Sequence, residues 1–256
     1  MGDLRVGNLQ QLNSDPDSLQ PRQTHASNRA VPSSIRHMPT HTISVRGILF
    51  DMDGVLISST GADERCWLRW AKHHHMEGTF SLQSTHGRRA LDTLREIRPD
   101  LDPVIEQRRL EDYDAEDHSG LIILPGVEKL LASLPADRWT IVTSATVRLL
   151  EGRLGYAKLP MSAVLVSADK VANGKPHPEP YLTGAKLLGL APADCLVIED
   201  SPAGVASGKA AGCRVLAVLS SHPQSELTAA DWFVASLEQV TAAPQPDGTL
   251  SIHLDT

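Results

Sequence analysis

The chain has 256 residues, 41% of them hydrophobic and 4% aromatic, with a formal net charge of −7, enough for a medium α/β domain with an insert or for two small domains. An acidic balance with no basic block excludes the electrostatic footprint of a nucleic-acid binder, and three scattered cysteines, Cys66, Cys195 and Cys213, exclude a disulfide framework. No apolar run reaches membrane-spanning length and no basic-then-apolar leader opens the chain, so a soluble protein of a reducing, cytoplasmic compartment is expected, without membrane or nucleic-acid partners.

Residues 1–40 contain Asn, Gln, Ser, Asp and Pro with hardly any apolar periodicity; they read as a disordered arm outside the fold, with Met38 as an alternative start. The apolar run 47–50 then predicts a short strand ending in Asp51-Met52-Asp53-Gly54. Over 58–120 there is no convincing strand, but three helical stretches occur, at about 60–75, 88–97 and 103–117. Thr60-Gly61-Ala62-Asp63 fits a capping box at the start of the first. Beyond it, strands predicted at 139–143, 163–166, 195–198, 215–218 and, more weakly, 232–235 alternate with helices at 127–134, 147–154, 180–188 and 203–211. Such alternation predicts an α/β fold, a parallel sheet with helices on both faces, with ligands held at the carboxyl ends of the strands. The expected division is a core over 43–57 and 121–243, an inserted helical domain over 58–120 lying above the strand ends as a lid, and a C-terminal tail over 244–256.

Four polar clusters follow four of these strands: Asp51 and Asp53, then Thr143-Ser144, then Lys175 in Gly174-Lys175-Pro176-His177-Pro178, then Glu199-Asp200-Ser201. Each supplies something that phosphoryl transfer needs. A carboxylate can attack phosphorus and carry the group as an aspartyl phosphate. A second carboxylate two positions on, past a turn that Gly54 helps to close, can protonate the leaving oxygen and later activate water. Hydroxyl and backbone N–H groups can bond the transferring oxygens while a lysine offsets their charge. The acidic residues suit a hard cation such as Mg²⁺.

In this order, Asp-Met-Asp-Gly, Thr-Ser, Gly-Lys-Pro-x-Pro and Glu-Asp-Ser-Pro-Ala-Gly resemble the haloacid-dehalogenase-like superfamily, over about 45–239, and within it the helical-cap sugar-phosphatase branch. The resemblance implies a Rossmann-like parallel-sheet core with an inserted α-helical cap, and hydrolysis of a small phosphate monoester, a sugar or polyol phosphate. It implies Asp51 as nucleophile and Asp53 as general acid/base, with Ser144, the Ala145 N–H and Lys175 on the phosphate. It further implies Mg²⁺ held by Asp51, the Asp53 backbone carbonyl and Asp200, with Glu199 orienting them from behind. Ser84-Thr85-His86-Gly87-Arg88 resembles that branch's substrate loop, which implies His86, Gly87 and Arg88 against the substrate, while His86 and Arg88 fit an ordinary helix start equally well; Trp67-Leu68-Arg69-Trp70 resembles the branch as well.

Other motifs read blandly. Neighbours on a helix point in different directions, so His73-His74-His75 is a helix C-terminal run and not a metal cluster. Gly204-Val205-Ala206-Ser207-Gly208-Lys209 mimics a phosphate-binding loop but is one residue short and lacks the Ser/Thr; it reads as a small-residue helix face. The cysteines read as apolar fillers, and His177 is left open between spacer and ligand. Asp53 argues against a dehalogenase, and the single lysine of the insert, Lys72, against a phosphonatase. A β-phosphoglucomutase-type phosphomutase shares all four motifs and is the enzymatic alternative. A receiver-type phospho-acceptor would carry the motifs in another order, and an inactive scaffold would not retain every one of these residues. The sequence does not decide between a monomer and a weak homodimer.

Overall fold

Residues 40–82 and 85–255 are described by the computed structural model; the arm expected over 1–40 lies, apart from Thr40, outside them, as does Ser84. Strand β1 (Thr40–Val45) passes through Arg46 into β2 (Gly47–Phe50), the strand expected at 47–50. β2 is the centre of a six-stranded sheet. Its neighbours are β5 (Trp139–Val142) and then β6 (Leu165–Val166) on one side, and β7 (Cys195–Glu199), β8 (Arg214–Val218) and β9 (Trp232–Val234) on the other. Every pairing in this sheet is parallel. Strands β2, β5 and β7 are buried at every position, which is why they read as near-continuous apolar runs, broken only by Thr140 in β5 and Glu199 at the end of β7, and not as alternating ones.

The alternation of side chains along a strand sorts the core into two layers. Ile48, Phe50 and Ile141 pack with Leu130 of α4 (Val127–Ser133) and with Leu150 and Leu154 of α5 (Val147–Ala157). Leu49, Val142 and Val197 face the other way, onto Tyr181 of α6 (Glu179–Leu187) and Val205 of α7 (Pro202–Ala210). Gly204 and Gly208 let α7 lie close to the sheet: a Cβ on Gly208 would press on Val215 and Val197, and one on Gly204 would overlap the Glu199 carboxylate. The pseudo-phosphate loop is thus a helix face packed on strands.

Between β2 and β5 the chain leaves the sheet through β3 (Ile57–Ser58), makes α1 (Thr60–His73), α2 (Ala90–Ile97) and α3 (Pro103–Glu116), and returns through β4 (Ile122–Ile123), which pairs antiparallel with β3. These helices share an apolar cluster built on Trp67, Trp70, Leu94 and Leu110. Asp102 caps α3, accepting from the N–H groups of Val104 and Ile105. At α1 the expected capping box is not formed: Ser59 occupies the N-cap and makes no side-chain cap bond. Ser59 Oγ is instead committed to Asp53, at 2.5 Å, and Asp63 to Arg153. His74 packs on Trp70 and bonds Glu106 at 2.8 Å, whereas His73 and His75 are exposed, so the histidine run gathers no site.

Residues 244–256, expected as a tail, carry a strand. β11 (Leu250–Asp255) pairs antiparallel with both β1 and β10 (Val240–Pro244) in a second, three-stranded sheet. Leu250, Ile252 and Leu254 are buried in the same layer as Ile48. Alternating apolar side chains that close the open side of this layer make the strand, although the Pro- and Gly-containing approach reads as a loop. Among the described residues no helix is long and apolar enough to cross a membrane.

Candidate active site

Because the strands of the large sheet are parallel, their carboxyl ends lie along one edge, and four of them deliver the polar clusters there. Asp51 follows β2 and donates its backbone N–H to the carbonyl of Ile198, at 2.9 Å. The chain then turns tightly: Leu56 N–H reaches back to the Met52 carbonyl at 2.8 Å, and Gly54 N–H to that of Ile57 at 2.7 Å. Gly54 has φ +78°, and a Cβ there would collide with the Asp200 carboxylate. Only glycine satisfies both constraints, and the turn seats the Asp51–Asp53 segment against the end of β7.

Lys175 lies under Asp51, with Nζ 2.6 Å from Asp51 Oδ1 and 2.6 Å from Glu199 Oε1. Glu199 is fully buried and also accepts from the Tyr181 hydroxyl and from the N–H groups of Asp200 and Ser201. Burial would raise its pKa, but Lys175 and these donors hold it below the usual carboxylate range. Asp51 goes the other way. Burial, opposed by Lys175 and reinforced by Glu199 and Asp53, pushes it up to about 8. Burial beside Glu199 and Asp51 drives Asp200 well upward too. Lys175 stays protonated, because those carboxylates outweigh its burial.

Asp51, Glu199 and Asp200 each offer an oxygen within 4.8 Å of the others, and Lys175 pairs with the first two. Hard carboxylate oxygens gathered this closely fit a divalent cation. Asp200 is steadied from its other side by Ser221 Oγ.

Asp51, Asp53, Ser144, Ala145 and Asp200 line one cavity, roofed by Asp63, Trp67 and the 85–88 segment, so the expected core residues converge. Ser144 Oγ donates to the Gly87 carbonyl at 2.9 Å, and Ala145 N–H to Thr143 Oγ1 at 3.0 Å. His86, Gly87 and Arg88 reach the same cavity, with Arg88 also paired to Glu96 at 2.9 Å. A Cβ at Gly87 would overlap Ser201, so this loop presses directly on the start of α7. His177 stays exposed, its ring near Glu179 and outside the cavity lining.

Two residues that sequence reasoning missed join the cavity. His222, in the loop after β8, meets His86 edge-on at 5.7 Å between ring centroids. Burial and His222 lower the pKa of His86, with Glu64 opposing. Arg153 of α5, 2% exposed, places Nη1 2.6 Å from Asp53 Oδ1. Neither carries a local signature: His222 sits in an ordinary Ser-Ser-His-Pro loop and Arg153 among the apolar positions of a helix.

The family model of the haloacid dehalogenase-like hydrolases matches residues 45–212. Hexitol phosphatase A of Escherichia coli is 42% identical over 213 residues, covering 81% of this chain and 99% of the relative. Glycerol-1-phosphate phosphohydrolase 1 of Saccharomyces cerevisiae is 31% identical, over 70% of this chain and 77% of its own. Among solved structures, β-phosphoglucomutase from Clostridium difficile superposes with a TM-score of 0.65 over 76% of this chain and 92% of its own; at 22% identity that likeness speaks for the fold alone. The family match covers well over half of the sequence: the chain belongs to the haloacid dehalogenase-like hydrolases.

Proposed function

We propose that this protein is a Mg²⁺-dependent phosphatase of small phosphate monoesters, sugar or polyol phosphates, with hexitol phosphates first among them. The observation that carries the reading is the convergence of Asp51, Asp53, Ser144 and Asp200 on one cavity with Lys175 beneath Asp51. The hexitol and glycerol phosphatases among the relatives support the substrate class.

In this reading Asp51 attacks phosphorus in line, and Asp53 gives its proton to the departing alcohol oxygen. Asp53 then takes a proton from water as that water cleaves the aspartyl phosphate. Lys175, Ser144 and the Ala145 N–H hold the phosphoryl oxygens, and Glu199 fixes Lys175 in place. Asp51, Asp200 and the Asp53 carbonyl would hold the metal. Mg²⁺, when bound, offsets the charge of Asp51 and of the phosphate that approaches it. Residues 58–120 act as a cap whose His86, Gly87 and Arg88, with His222 from the core, select the alcohol and exclude bulk water. Three buried, free cysteines support a reducing, cytoplasmic setting.

The test is release of inorganic phosphate from a panel of hexitol, glycerol and hexose phosphates with Mg²⁺, β-glucose 1-phosphate included. Turnover of hexitol phosphates is expected. No release from any ester would sink the reading, and conversion of β-glucose 1-phosphate to glucose 6-phosphate without net phosphate would replace it with a phosphomutase.

A further inference from the structure

Arg153 stands at the junction of three chain segments. Its guanidinium is buried, and its partners are three carboxylates remote in sequence. Nη1 donates to Asp53 Oδ1 at 2.6 Å, Nη2 to Asp114 Oδ1 at 2.6 Å and also to Asp63, while Nε reaches Asp114 at 3.2 Å. Asp63 belongs to α1 and Asp114 to α3, both in the helical segment; Asp53 belongs to the turn after β2, and Arg153 itself to a core helix. Burial alone would weaken the guanidinium's charge, but Asp53, Asp63 and Asp114 together hold its pKa well above the ordinary value. A planar fork with five donors at fixed angles can serve three carboxylates only when all three are in register.

Asp53 takes its second side-chain bond from the base of the same segment. Ser59 Oγ, at the N-cap of α1, donates to the same Oδ1 at 2.5 Å. Among the described residues Oδ2 of Asp53 accepts no hydrogen bond, so Oδ1 is the anchored oxygen and Oδ2 is the one left to the cavity. A buried guanidinium stripped of two of three carboxylates would be a badly compensated charge and would reorganise. With it would go the anchor on Asp53.

We propose that Arg153 is a positioning residue that makes proton delivery by Asp53 conditional on the helical segment being seated. This rests on the phosphatase reading above. In the step concerned, an Asp51 oxygen forms its bond to phosphorus as the bond from phosphorus to the alcohol oxygen breaks. The alcohol oxygen keeps the electron pair and takes the proton from Asp53 Oδ2. Arg153 touches none of the reacting atoms. It fixes the rotamer of Asp53, and Asp63 and Asp114 fix Arg153. A core seated without its helices therefore has the nucleophile in place but not the acid.

The experiment compares kcat/KM, which reports the first half-reaction, for an alkyl phosphate ester found in the panel and for p-nitrophenyl phosphate. The nitrophenolate departs without needing a proton. For Arg153→Lys and Arg153→Gln the expected result is a fall of about 10²-fold on the alkyl ester and less than about 3-fold on the aryl ester. Asp63→Asn and Asp114→Asn should show the same leaving-group selectivity, although neither residue reaches Asp53. Thermal melting identifies any variant that fails to fold, and the two Asn variants then decide the matter. Equal losses on both esters in folded variants would mean that the cluster only braces the structure, and would overturn the proposal. A wild-type protein that releases phosphate from no ester would overturn the phosphatase reading first, a result that cannot be confused with equal losses.

Discussion

Asp51 and Gly54 show how much a single position can be asked to do. Asp51 is buried against Lys175 at 2.6 Å, so replacing it with Asn keeps the shape of the site while removing the proposed nucleophile. Phosphate release by Asp51→Asn should fall at least about 10³-fold with little change in melting temperature; mass spectrometry on the purified variant checks that deamidation has not restored the acid. Gly54→Ala should behave differently. Its positive φ and the Asp200 carboxylate in the way of a Cβ predict a loss of at least about 1 kcal/mol and weaker binding of Mg²⁺, measured by chemical denaturation and by titration calorimetry. The Asp51–Gly54 segment was readable in the sequence because its chemistry is packed into four consecutive residues behind an apolar strand. Arg153 was not readable, because its partners lie 39, 90 and 100 residues away and nothing local marks a helical arginine as the one that turns inward.

At the scale of elements, the core strands were legible for a physical reason. A strand buried on both faces is built mainly from apolar residues, and β2, β5 and β7 are, with Thr140 and Glu199 as buried exceptions that find hydrogen-bond partners. β11 was missed because its polar and apolar residues alternate over one short stretch, and its partner β1 lies at the far end of the described chain. α1 starts at Thr60 as expected, but its capping box does not form, because Asp63 is claimed by Arg153 and Ser59, which takes the N-cap, by Asp53. How α2 docks could not be read from sequence either. Arg89, at its N-cap, donates to the carbonyls of Val171 and Ala172 at 2.9 and 3.0 Å and pairs with Asp92 at 2.7 Å, so it ties the helical segment to the loop that leads to Lys175. Arg89→Ala should cost about 2 kcal/mol. Amide exchange should quicken in 168–175 and across α2, which hydrogen-exchange mass spectrometry would resolve.

For the whole molecule, the balance of charge at the strand ends makes stability depend on pH and metal together. Asp51 has its folded-state pKa raised to about 8 from an ordinary 3.8. A carboxyl raised in this way favours the fold fully below the ordinary carboxylate range, and that contribution is lost as pH rises through about 8. A divalent cation binds the ionised form and should restore what is lost. The rise in melting temperature on adding Mg²⁺ should therefore be larger at pH 8 than at pH 5.5, as differential scanning fluorimetry would show. An equal rise at both pH values would mean that the cation binds elsewhere.

The three-stranded sheet has a further consequence, for synthesis on the ribosome. β1 is among the first described segments to emerge, yet its partner β11 is made some two hundred residues later, with β11 bridging β1 to β10. Contacts of such sequence separation close late and slowly. Until they do, β1 lacks its strand partner, and the layer holding Ile48 and Phe50 lacks Leu250, Ile252 and Leu254. A nascent chain halted before residue 250 should consequently present a sticky, protease-sensitive surface that holdase chaperones would bind, and release of the finished chain should abolish that binding.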